Sequence, residues 1–140
     1  MRKSYFRFKV YLAGWWKDTE YRKITKKEFG KYFDLIDPMD VSFNEIRKYI
    51  GPDMEDTFIV KNDKRKIDNC DILVAKFDFL PQGEISLGTP MEVAYAFSKG
   101  IPVYIISKDD YIRNNPWLKF HSKKQFSTIT ACFNFLKRLN

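Results

Sequence analysis

Among its 140 residues the chain has only two cysteines, Cys70 and Cys132, and one histidine, His121. The cysteines lie far apart and form no C-x-x-C pair, so neither a disulfide framework nor a zinc site is suggested, and a metal-free, cofactor-free fold in a reducing compartment is expected. No run approaches the roughly 20 apolar residues needed to cross a bilayer. Residues 1–9 are basic and aromatic, lack an apolar h-region and a small-residue cleavage site, and lead straight into a strand-like segment. The expectation is a soluble, cytoplasmic protein. The lone histidine has no metal partners and no Ser-His-Asp arrangement around it, so a surface or packed role accounts for it.

What is present is a globular composition, with 44% apolar residues, 17% aromatic residues and charge spread along the chain. Its length suits one domain over residues 1–140, which buries roughly two-thirds of the surface its unfolded form exposes. Twenty-five Lys and Arg against 18 Asp and Glu leave a formal charge of +7. A surplus of that size raises nucleic acid, a membrane surface or a small anion as partners. The cations are scattered, however: residues 17–31 and 61–66 are interrupted by acidic or aromatic residues, and the concentrated stripe that polymer binding requires is missing. A phosphate-bearing small ligand stays open, with no nucleic-acid polymer and no membrane.

Hydrophobic periodicity predicts a strand over residues 6–13 ending at Gly14, a helix over 17–32, and a short strand before a loop at 37–40 set by Pro38. A short helix over 44–50, the Gly51-Pro52 turn and a helix over 58–69 follow. Residues 71–75 and 101–107 read as buried parallel strands. Residues 77–87 have no period and read as an exposed loop; 88–99 form the clearest helix, stopped by Gly100. A terminal amphipathic helix is expected over 131–139. Alternating strands and helices predict a doubly wound, mostly parallel sheet with helices on both faces, of the Rossmann or flavodoxin-like kind.

In such sheets ligands bind beyond the carboxyl ends of the strands. The residues there are Gly14, Trp15, Trp16, Lys17 and Asp18 after the first strand, Asp37 to Asp40 after the second, and Phe77 and Asp78 before a helix that opens with Gly88 and Thr89. Aromatic rings that stack on a flat base, carboxylates, and a helix start suited to an anion together fit a nucleoside or nucleotide.

Three segments, V-Y-L-A-G-W-W, N-D-K-R-K-I-D-N-C-D-I-L-V-A and G-T-P-M-E-V-A-Y-A-F-S-K-G-I-P-V-Y, occur in that order between residues 10 and 106. In this order and spacing they resemble the nucleoside 2-deoxyribosyltransferase family. The resemblance implies that Glu92 attacks the anomeric carbon, that Asp63 holds or protonates the departing base, and that the Tyr11 hydroxyl orients Glu92. It also implies that Trp15 or Trp16 stacks on the base, and that Asp40, Gly14, Gly88, Thr89 and Met91 border the substrate. Each has a plainer reading: Glu92 as a helix-dipole carboxylate, Asp63 as a surface charge, Tyr11 as core with a wet tip, and the tryptophans as loop packing. Asp71 reads as structural, through capping or a backbone bond.

Ser86 departs from the family pattern. Transferases acting on free deoxynucleosides place an Asp six residues before the nucleophile to bind the 5'-hydroxyl, whereas the related nucleoside 5'-monophosphate N-glycosidases have a Ser that accepts phosphate. A hydroxyl tolerates phosphate where a carboxylate repels it, although Glu84 stands two residues earlier. The resemblance thus implies sugar transfer from a (deoxy)nucleoside to a free nucleobase through a glycosyl-Glu92 intermediate, with monophosphate hydrolysis or a non-catalytic nucleotide-binding module as alternatives. The cytokinin-riboside phosphoribohydrolase type shares G-T-x-x-E, but it has a paired glycine before the motif, and here Leu87 occupies the place next to Gly88. A homodimer or larger homo-oligomer is also implied, with Asn114, Asn115 or Ser122 as candidates to complete a neighbour's site.

Overall fold

The computed structural model describes residues 6–40, 55–78, 83 and 85–139. Its strands are β1 (Lys9–Ala13), β2 (Asp34–Ile36), β3 (Ile72–Lys76), β4 (Val103–Ile106) and β5 (Lys124–Phe126). Its helices are α1 (Thr19–Phe29), α2 (Glu55–Asp68), α3 (Gly88–Ser98), α4 (Asp110–Asn114), α5 (Pro116–His121) and α6 (Ile129–Lys137). All strand pairs are parallel, in the order β2-β1-β3-β4-β5. The expected helix over 44–50, the Gly51-Pro52 turn and Glu84 lie outside the described residues.

The β1, β3 and β4 runs are apolar at nearly every position because both faces of the sheet are covered. Val10, Leu12, Ile72, Val74, Tyr104 and Ile106 pack beneath α1 and α6, through Tyr21, Phe29, Phe133 and Leu136. The alternate residues Tyr11, Ala13, Leu73, Ala75, Val103 and Ile105 pack beneath α2, α3 and α4, through Ile67, Val93, Ala96 and Ile112. Each fully buried aliphatic or aromatic side chain contributes about 1.5–3 kcal/mol. Cys70 and Cys132 are free, buried thiols on opposite faces of the sheet, and burial pushes them up to about 11 and about 12.

Chain order places the reversal between β1 and β3, so a crevice opens at their carboxyl ends. Helix α1 begins two residues later than the sequence predicts because Asp18 is its N-cap, accepting from the Tyr21 amide at 3.2 Å. It ends at Phe29, short of the predicted residue 32. Gly100, with φ of +76°, follows the end of α3 and donates its amide to the Phe97 carbonyl at 3.0 Å. Phe77 differs from the exposed loop predicted for it: it is buried against the α3 side of the sheet because it continues the alternation of β3 by one residue. Strand β5 and helices α4 and α5 were absent from the predicted elements. Among the described residues no helix is long and apolar enough to cross a membrane.

Candidate active site

Tyr11 is the middle residue of β1, paired with Ile36 on one side and Leu73 on the other, and wholly buried. Its side chain projects from the face covered by α3. Glu92, one turn into α3, receives the Tyr11 hydroxyl as a hydrogen bond at Oε2. Burial raises the Glu92 carboxyl from 4.5 to about 7, opposed by the Tyr11 hydrogen bond, reinforced by the charge of Asp63 and opposed again by Arg22. Half-buried Asp63, on α2, is likewise raised by burial to about 6 against the pull of Lys66 and Arg22, and has no hydrogen-bond donor among the described residues. Burial, with the Glu92 and Asp63 charges, pushes the Tyr11 hydroxyl well above its ordinary range, so it remains a donor.

The structure adds a cation that sequence reasoning passed over. Arg22, on α1 four residues after its N-cap, is almost fully buried and faces Asp37 at 3.0 Å as an ion pair, without an aligned hydrogen bond from Nε. Its Nη1 donates to the Trp15 carbonyl at 2.9 Å and the Asp18 carbonyl at 3.3 Å, and its Nη2 to the Gly14 carbonyl at 3.2 Å. One guanidinium therefore fixes the β1–α1 turn that carries both tryptophans, as its rigid fork of donors allows. Gly14 is required there by space: a Cβ would meet the Tyr21 ring at 3.2 Å and the Lys76 carbonyl at 3.4 Å. Lys26 pairs with Asp37 at 2.9 Å and with Asp40 at 3.3 Å, which gives Asp40 an exposed surface partner.

Two clefts open at this end of the sheet. One, of about 220 Å³, is bordered by Trp15, Lys17, Asp18, Lys76, Asp78 and Ser86. The other, of about 440 Å³, is bordered by Trp16, Arg22, Lys26, Asp37 and Met39 among others. The two tryptophans are thus divided between the clefts. Ser86 accepts a hydrogen bond from the Thr89 hydroxyl at 3.0 Å, and no side chain caps the start of α3. Gly88 is exposed at that start. Met91 is 74% exposed and is not brought to either cleft, because the buried stripe of α3 runs through Thr89, Val93 and Ala96. Asp71 accepts the Lys9 amide at 2.8 Å, a purely structural bond. Among the described residues no group of three or more His, Cys, Asp or Glu converges on a metal position.

A model of the family described as nucleoside 2-deoxyribosyltransferase matches residues 10–124. The chain belongs to that family. Tyr11, Asp63, Ser86 and Glu92 all fall within the match. No curated protein matches the sequence. A conserved protein from Enterococcus faecalis V583 shares the fold at a TM-score of 0.72 and 21% identity, over 96% of this chain and 100% of that one. A 2-deoxyribosyltransferase from Bacillus psychrosaccharolyticus gives 0.65 and 20%, over 90% of each chain. The CMP N-glycosidase BcmB of Clostridium botulinum gives 0.53 and 17%, over 94% of this chain and 97% of that one.

At the far edge of the family match, His121 accepts or donates at Nδ1 with the Trp117 carbonyl at 2.7 Å and packs on Phe97, Phe120 and Trp117. Asn115 caps α5 by accepting from the Trp117 and Leu118 amides at 3.0 and 3.3 Å, and Ser122 donates to the Leu118 carbonyl at 2.8 Å. Both side chains are engaged within their own element. Asn114 is exposed at the end of α4.

Proposed function

We propose that the protein cleaves the N-glycosidic bond of a (deoxy)nucleoside and transfers the sugar to a second base, with Glu92 as nucleophile. The observation that carries this is the Tyr11 hydrogen bond to a half-buried Glu92 that also feels the charge of Asp63. The ionised Glu92 oxygen bonds to the anomeric carbon as the bond to the base nitrogen breaks, and the electron pair leaves with the base. Asp63 supplies the proton the base takes up. The incoming base then displaces Glu92 and returns a proton to Asp63. Tyr11 favours the productive arrangement, because its hydrogen bond lowers the Glu92 carboxyl and so shifts the shared proton toward Asp63. Trp16, 58% exposed beside Arg22 and Met39, offers a face for a base.

The protein acts without a cofactor, as a cytoplasmic homo-oligomer. Exposed Met91, Trp117 and Phe120, at 71–76% exposure, support the assembly. The test is incubation with a deoxynucleoside and a different free base. Exchange that disappears in Glu92→Gln is expected; no exchange or base release, or full activity in Glu92→Ala, refutes the reading. A second reading, hydrolysis of a nucleoside 5'-monophosphate, is favoured by Ser86 alone, and a non-catalytic binding module would bind ligand in Glu92→Gln and in the parent without forming product.

A further inference from the structure

We infer that the larger cleft selects an oxo base over an amino base, because its acceptors are bonded within the fold and what it offers a ligand is donors. The inference rests on the glycosyl-transfer reading above and concerns its base. The cleft holds about 440 Å³, a volume in the range of small-ligand sites. Four cations, Lys17, Arg22, Lys23 and Lys26, stand around it against one carboxylate, Asp37. Two residues join it to the reacting carboxyls. Arg22, on its wall, acts by its charge on Glu92 and Asp63 alike. Lys66, one turn after Asp63 on α2, donates to the Asp37 carbonyl at 3.4 Å, so the cleft lies against the helix that carries Asp63.

The carboxylate is fully engaged. Asp37 Oδ1 accepts the Met39 amide at 2.8 Å and faces Arg22 Nε at 3.0 Å, and Oδ2 faces Lys26 Nζ at 2.9 Å, in a side chain only 5% exposed. The Asp37 carbonyl also accepts the Asp40 amide at 3.1 Å, and the Lys17 carbonyl accepts the Thr19 amide at 2.9 Å. Among the described residues that line the cleft, only the exposed Thr19 hydroxyl keeps a side-chain oxygen free. Lysine and arginine carry donors and no acceptor. Lys17 sits over the Trp16 ring at 5.0 Å and Lys23 is exposed on the same wall, so both ammonium groups border a base stacked on that ring. A carbonyl of uracil or hypoxanthine accepts from them as a charge-assisted hydrogen bond. The amino group that replaces it in cytosine or adenine is a donor facing donors, and loses water without gaining a partner.

The experiment sets uracil against cytosine, and hypoxanthine against adenine, as acceptors of the sugar from thymidine. It reads kcat/KM for each, with calorimetric binding of the four free bases alongside. The parent is expected to favour each oxo base by about tenfold or more. Lys17→Gln combined with Lys23→Gln replaces two exposed donors by amides that also accept, and Lys26→Gln releases Asp37 Oδ2. In either variant the preference should shrink by about threefold or more. Equal use of the two bases in a pair, a preference for the amino base, or a preference unmoved in both variants overturns the inference, while exchange abolished by Glu92→Gln leaves the glycosyl-transfer reading standing. If no base is exchanged, that reading falls and binding alone decides the cleft: equal or tighter binding of the amino bases, or no binding of any of the four, overturns the inference.

Discussion

Replacing Glu92 by Gln should make the protein more stable while it removes turnover. Burial raises the Glu92 carboxyl from 4.5 to about 7, so between those values the folded chain holds a proton that the unfolded chain has released. Stability attributable to this group therefore falls as pH rises through that interval, and the penalty is full above about 7 and absent below 4.5. At about 1.4 kcal/mol per pH unit the interval corresponds to about 3 kcal/mol, which the partial exposure of Glu92 to solvent reduces to about 2 kcal/mol. Glutamine keeps an acceptor for the Tyr11 hydroxyl and carries no charge to desolvate. Denaturant unfolding of the parent and Glu92→Gln at pH 4 and pH 8 tests this. Near-equal stability is expected at pH 4, and a gain of about 2 kcal/mol, or about 4–8 °C in Tm, at pH 8. An equal gain at both values, or a loss at pH 8, would refute the electrostatic argument.

Three further outcomes follow from the same geometry. The active form holds one proton between Glu92 and Asp63, raised to about 7 and about 6, so kcat/KM should peak between about pH 6 and 7; a rate still climbing above pH 8 contradicts the assignment. Tyr11→Phe keeps the buried ring but removes the donor to Glu92, which should lower kcat about tenfold to a hundredfold and move the acidic limb of the profile upward, with KM nearly unchanged. Arg22→Lys keeps the charge and loses the fork that spans Asp37 and the Gly14, Trp15 and Asp18 carbonyls; a loss of about 1–3 kcal/mol in stability and a raised KM are expected, read by chemical denaturation and steady-state kinetics.

The parts of the fold legible in the sequence are those in which burial imposes a long pattern. Strands β1, β3 and β4 appear as nearly unbroken apolar runs because both faces are covered, and α3 announces its end with Gly100. Strand β5 offers a single buried apolar residue, Phe126, and owes its conformation to pairing with Ile106. Helices α4 and α5 are too short for a period, although Asn115-Pro116 is a start signal of the ordinary kind. Tyr11, Asp63 and Glu92 were reached through ordered motifs, since no local pattern joins residues 81 apart. Arg22 and Lys76 were hidden for the opposite reason. In a chain with 25 cations a lysine or arginine reads as solvated surface, and only folding sets Arg22 against Asp37 and Lys76 between Asp18 and Asp78.

Arg22 also explains how two carboxyls in one site keep raised values beside a buried cation. Its charge lowers both Glu92 and Asp63, and left alone it would favour two carboxylates and leave no acid to protonate a departing base. Asp37, at 3.0 Å and equally buried, offsets that charge at its source, and Lys26 in turn steadies Asp37 at 2.9 Å. The guanidinium is thereby committed to holding the β1–α1 turn, its field at the reacting carboxyls is weakened, and desolvation prevails there. In the proposed mechanism Arg22 and Asp37 thus act as a positioning pair: they set where the tryptophans stand and, by cancelling one another, let the two carboxyls keep a shared proton.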